Sequence, residues 1–160
     1  MPLLRGFSKV DPIRNPVSCG ASEGGEILIP SNIREKAGIS AASLVEVKVI
    51  RIKGSSRWPY LIIHAPGVYP HLSMFQVVMR EEKSQIDDKA RLILTDSILE
   101  ETKLELNYRV EIKLVGPHGN YWVVIYNRGP IRLTTLQEKV GRLGKSGQKE
   151  KRWQIQKWEY

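Results

Sequence analysis

The sequence predicts a mostly β protein built from two copies of one strand-rich unit, with one short helix per copy. A C-terminal amphipathic helix and a basic tail follow. Three observations predict this. Apolar, β-branched segments alternate with period two, the mark of half-buried strands. These segments recur at an offset of 65 residues: Ile27, Leu28 and Ile29 fall on Leu92, Ile93 and Leu94, and the 45–49 segment falls on 110–114. A chain of 160 residues holds one domain, or two very small ones sharing a core.

The elements of each copy follow in order. Leu3, Leu4, Phe7 and Val10 are the apolar candidates for an opening strand of copy one, and residues 74–80 for that of copy two. Residues 26–29 make the next strand, and Pro30 stops it. Ser31 or Asn32 then caps a brief helix, with Glu35 three residues after Asn32. Gly38 stands where a left-handed C-terminal residue belongs, and Lys103 takes its place in copy two. Ser97 and Glu100 repeat the capping pattern there.

In 45–52, Val45, Val47 and Val49 point one way and Glu46, Lys48 and Ile50 the other. A turn at Gly54, Ser55 and Ser56 returns the chain through 60–64; in copy two, 109–115, a turn at 116–120 and 121–127 repeat the hairpin. With the offset shortened to 62, Leu61, Ile62 and Ile63 meet Val123, Val124 and Ile125. One unit of about fifty residues buries too little surface to stand alone. Two units pairing strands around a shared core give one compact, barrel-like domain: repeat one 1–65, repeat two 66–127, and a C-terminal extension 128–160.

Charge narrows the partners. The chain carries 25 Lys and Arg against 17 Asp and Glu, a net +8. Residues 128–160, with nine basic and three acidic residues, account for +6 of it. Such an excess suits nucleic acid or an acidic protein surface. The apolar runs are too short to span a bilayer, and MPLLRGFSKV lacks the apolar stretch of a secretory signal. With the single Cys19, which can form no internal disulfide, this predicts a cytoplasmic protein away from membranes.

No catalytic constellation emerges, so a non-enzymatic role is expected and nothing calls for a cofactor or metal. Gly144, Lys145 and Ser146 imitate the end of a P-loop, but Lys139 stands at the position of its first glycine. His64, His71 and His118 share no ligand spacing with Cys19 or with acidic pairs. Asp87 and Asp88 read as a solvated turn before a strand.

The segment GGEILIPSNIREKAGIS and the LVEVKVI strand after it resemble the AbrB/MazE/SpoVT swapped-hairpin family. DDKARLILTDSILEETKLELNYRVEIKL, in copy two, resembles the same pattern more loosely. The resemblance implies two interleaved hairpin units closing a β-barrel, here within one chain, and a DNA-binding transcription regulator. The MraZ proteins also carry two copies, each with an Asp-x-x-x-Arg motif. Asp87 and Arg91 match that motif, whereas copy one has Ser22 and Glu26 there.

By the same resemblance the nucleic-acid-binding residues are Arg34 with its neighbour Lys36 in copy one, and Arg91 with Lys89 in copy two. Glu26 replaces the copy-one arginine, and Leu99 and Glu100 replace helix arginines in copy two, so the DNA face is composite.

Leu133, Leu136, Val140 and Leu143 recur at helical spacing behind the Thr135–Glu138 capping pair, which predicts a helix over 134–143. The tail beyond it mixes Lys149, Lys151 and Arg152 with Trp153 and Trp158, the composition of an interface anchor. The alternative function is therefore a non-catalytic accessory subunit that docks on a larger protein assembly through this tail. An antitoxin-like role fits less well, because antitoxin tails in the family tend to be acidic. Self-association into a homo-oligomer is left open.

Overall fold

The structure, a computed structural model, describes residues 4–13 and 24–130. The period-two segments form strands, in the order β1 (Arg5–Lys9), β2 (Gly25–Leu28), β3 (Leu44–Ile52), β4 (Tyr60–His64), β5 (Gln76–Gln85), β6 (Arg91–Leu94), β7 (Tyr108–Val115) and β8 (Trp122–Pro130). Helix α1 (Ser31–Lys36) follows β2, and helix α2 (Asp96–Thr102) follows β6. Six strands make one antiparallel sheet in the order β1-β7-β8-β4-β3-β5, while β2 and β6 pair as a separate two-stranded ribbon.

This pairing scheme has two-fold pseudosymmetry. Exchanging β1 with β5, β3 with β7 and β4 with β8 returns the same strand order read backwards. The ribbon is centred on the Ile27–Leu92 pair and the sheet on the Ile62–Val124 pair, each joining two positions that the repeat equates. The copies are interleaved: β1 of the first pairs with β7 of the second, and β5 of the second with β3 of the first. The sheet ends at β1 and β5, so the described residues form an open sheet with a ribbon across it and no closed barrel.

The core lies between the sheet's inner face and the layer of ribbon and helices. Ile27 and Leu92 from the ribbon and Ile33 and Ile98 from the helices meet Val47, Ile63, Ile112 and Ile125 of the sheet there. The expected alternation in β3 holds: Val45, Val47 and Val49 join this core, while Ile50 joins a second cluster on the outer face with Tyr60, Ile62, Trp122 and Val124. The segment between β4 and β5 covers part of that outer face. Val68 and Leu72 pack on it, His71 meets Trp122 edge-on at 5.5 Å, and Asn120 hydrogen-bonds both the N–H (3.0 Å) and C=O (2.9 Å) of Tyr69.

Several expectations are corrected. The opening strand of copy two is β5, running to Gln85, and its counterpart of β1 is the 81–85 part. Phe7 lies on the opening strand as expected, on its outer face: Gly6 faces Pro30 and Ile33 of the helix layer, so the pleat turns Arg5, Phe7 and Lys9 outward. The helices begin before the expected caps. Pro30 precedes α1 and has no side-chain acceptor, while Asn32 Oδ1 accepts from the adjacent Ile33 N–H at 2.9 Å. At α2 the cap is Thr95, whose Oγ1 accepts from Ile98 N–H. The helix exits match expectation, Gly38 at φ +72° and Lys103 at φ +60°. The second repeat's last strand runs on to Pro130. The helix expected over 134–143 lies outside the described residues. Among the described residues, no helix is long and apolar enough to cross a membrane.

Candidate nucleic-acid interface

The ribbon register decides which charges meet. Leu28 pairs with Arg91 at one end and Gly25 with Leu94 at the other. From Leu28 the chain passes directly into α1, so this helix starts beside the beginning of β6. The connection after α1 is tied to the turn before β6, with Ala42 N–H donating to the Asp87 carbonyl (3.1 Å) and Ile86 N–H to that of Ser43 (2.9 Å). Arg34 and Lys36 from copy one and Lys89 and Arg91 from copy two are thereby brought to one end of the ribbon. At the other end stands α2 with Asp96, Glu100 and Glu101, a formal −3 against +1 for α1.

Lys89 is presented by a tight turn. Asp87 Oδ1 accepts the backbone N–H groups of Lys89 (2.9 Å) and Arg91 (2.8 Å), and Ala90 takes φ +66°. This leaves Lys89, like Lys36 on α1, exposed to solvent. Arg34 is partly buried, and its Nε has no hydrogen-bond partner among the described residues.

Arg91 is placed differently. Its side chain is only 14% exposed, with Nη1 3.5 Å from Asp11 Oδ2 and 3.7 Å from the buried Glu26 Oε1. Asp11 and Glu26 are themselves joined by two backbone hydrogen bonds of 2.8 and 2.9 Å. Desolvated carboxylates need such a counter-charge. Asp11 also corrects the repeat alignment. It pairs with Glu26 as Asp87 pairs with Arg91, so the copy-one counterpart of Asp87 is Asp11 rather than Ser22. Extra chain between Asp11 and Glu26 hides this match in the sequence.

A second charged cluster, which sequence reading missed, lies on the outer face of the sheet. Glu111, 4% exposed, accepts from Arg128 Nε (2.8 Å) and Nη2 (2.5 Å), with Arg5 Nε at 3.4 Å and Lys113 Nζ at 3.9 Å. The ring of Tyr126 lies 5.3 Å from that of Tyr60, under Arg128 and Lys113. Burial pushes both tyrosine hydroxyls above their ordinary pKa, while the Gln76 hydrogen bond pulls Tyr60 partly back. Beside them a cleft of about 570 Å³ opens between Arg57 and Trp58 of the β3–β4 turn and Lys113, Tyr126 and Arg128. The period-two run Arg5, Phe7, Lys9 and the Tyr126, Arg128 pair were the available signals.

Lys149, Lys151, Arg152, Trp153 and Trp158 lie outside the described residues. Compared with protein-family models, curated proteins and solved structures, the chain matches none.

Proposed function

We propose that the chain is a DNA-binding transcription regulator of the AbrB/MazE/SpoVT swapped-hairpin type, with both hairpin units in one polypeptide and no catalytic activity. The exchange of first strands between copies and the ribbon shared by them support the swapped-hairpin reading. The observation that carries the function is the meeting of Arg34, Lys36 and Lys89 at one ribbon end, although they come from different copies. These three side chains contact phosphates. Arg91 acts through Asp11 and Glu26 as a positioning residue that keeps the ribbon end in shape.

Fluorescence anisotropy with a duplex DNA probe, titrated at several salt concentrations, tests this. Each phosphate contact contributes a log–log salt slope of about −0.9. Replacing Arg34, Lys36 and Lys89 together by alanine should flatten the slope by roughly 2–3. Unchanged affinity and slope in that variant defeat the proposal.

The accessory-subunit reading draws on a different surface. Tyr69, Met74, Phe75 and Met79 are exposed along one segment, an apolar run of the sort that protein partners cover. Copurification of a stoichiometric protein partner that the Met74→Ser, Phe75→Ser variant loses would favour that reading.

A further inference from the structure

We infer that the outer face of β1, β7, β8 and β4 is a binding platform for single-stranded nucleic acid, separate from the duplex-facing ribbon end. Its basis is a row of aromatic rings running across the strands. Phe7 on β1 pairs with Glu111 on β7, and Glu111 pairs with Tyr126 on β8. The row continues to Tyr60 on β4, whose ring is 5.3 Å from that of Tyr126. Trp58, two residues before Tyr60 in the β3–β4 connection, lines the cleft. Strand spacing puts Phe7 roughly 10 Å from Tyr126, two strands away. Phe7 is 48% exposed and Trp58 39%. Phe7 and Trp58 are the faces open for stacking, and Tyr126 with the buried Tyr60 forms the floor between them. Ring faces held on a rigid sheet let bases stack without a fixed sequence.

Cations flank the row on both sides. The pairs Arg5–Lys113 and Lys9–Arg109 are the cross-strand neighbours on either side of Phe7–Glu111. Glu111 is buried beneath its arginines and lysine, so the side presented to a strand is positive. Arg109 lies 4.2 Å over the Phe7 ring, and a guanidinium plane is itself a stacking surface. The cleft beside Tyr126, at about 570 Å³, is within the size range of small-ligand pockets and accommodates one base.

The molecule provides its own control. The equivalents of Arg5, Phe7 and Lys9 in copy two are Glu81, Lys83 and Gln85, which pair across to Lys48, Glu46 and Leu44. There the charges balance and no ring takes the place of Phe7. The basic–aromatic row is therefore confined to one half and is not a property of the fold.

The test uses the full chain and fluorescein-labelled 12-mers of thymidylate and of uridylate, titrated in parallel, since DNA and RNA strands both offer bases that stack. Binding of either strand should weaken at least about fivefold in Phe7→Ala and again in Trp58→Ala, the loss expected for one stacked base each. Both residues are exposed, and circular dichroism should report unchanged folding. The Arg34, Lys36, Lys89 triple-alanine variant should bind the 12-mers as the parent does, so failure of the ribbon-end proposal leaves this one standing. The inference is overturned if neither 12-mer binds at protein concentrations up to 100 μM. It is also overturned if the Phe7→Ala, Trp58→Ala double variant binds as tightly as the parent, or if the ribbon-end variant is the one that loses single-strand binding.

Discussion

Arg91 Nη1 stands 3.7 Å from Glu26 Oε1, and the two residues are each other's counterparts across the pseudo-dyad. In a symmetric pair of copies the two positions would hold the same side chain. Here one copy supplies the cation and the other the carboxylate, and the halves are joined by an ion pair at the ribbon. Removing one partner of a buried pair leaves the other uncompensated, at about 3–5 kcal/mol. Arg91→Ala should therefore lose about 3 kcal/mol, the lower end, because its side chain keeps 14% exposure. Urea denaturation measures it. A loss below about 0.5 kcal/mol would mean that Asp11 and Glu26 are satisfied without Arg91.

The helix exits make a matched pair of experiments. Nothing lies within 4 Å of a Cβ added to Gly38, so Gly38→Ala bears only the cost of its φ of +72°, about 1 kcal/mol of destabilisation. Lys103 already carries that strain at φ +60°, so Lys103→Gly should stabilise by about 0.5–1 kcal/mol. Thermal melts of both variants should move in opposite directions, and movement in the same direction would contradict the left-handed assignment.

At the centre of the ribbon, Ile27 is fully buried against its counterpart Leu92. Ile27→Val should lose about 0.5–1.5 kcal/mol and Ile27→Ala about 2–5 kcal/mol. Because the copies share one core, both variants should unfold in a single transition that coincides by circular dichroism and tryptophan fluorescence. Two separated transitions would show that the halves fold independently.

Alkaline pH should weaken the fold through Tyr60 and Tyr126. Burial raises both hydroxyls in the folded state, so the unfolded chain ionises first as pH rises through about 10. The stabilisation is complete below that pH and falls away as pH climbs toward the raised folded values. Unfolding free energy measured at pH 9 and pH 11 should drop in the parent and drop less in Tyr60→Phe, Tyr126→Phe. An equal drop in the double variant would place the alkaline sensitivity elsewhere.

The repeat carried most of the fold into the sequence. Ile27 and Leu92, matched at an offset of 65, turn out to be paired partners, and the Val45, Val47, Val49 alternation gives the inner face of β3. What local pattern did not carry was anything set by two distant segments. Asp11 matches Asp87 only through strand pairing, since extra chain separates it from Glu26. Arg91 fitted a family position, yet its carboxylate partners come from β2 and from the segment after β1, which proximity along the chain does not disclose. Phe7 is among the apolar candidates for the opening strand, and its parity with Arg5 and Lys9 sets the face it takes. The basic–aromatic row needs β1, β7, β8 and β4 side by side, and no window along the chain contains them.

The uneven distribution of charge between the copies gives the molecule a direction. A homodimer must show every side chain twice, so the partner that suits it best is itself palindromic. Fusing the two units into one polypeptide lifts that obligation, and substitutions can then accumulate on one side alone. Here Arg34, Lys36 and Lys89 lie at one ribbon end, and Asp96, Glu100 and Glu101 at the other. On the proposed DNA-binding reading, a polyanion arriving at the ribbon would meet different charge at its two ends, which favours one orientation over the other. The internal duplication thus sets up a polarity that two identical chains related by a dyad are unable to express.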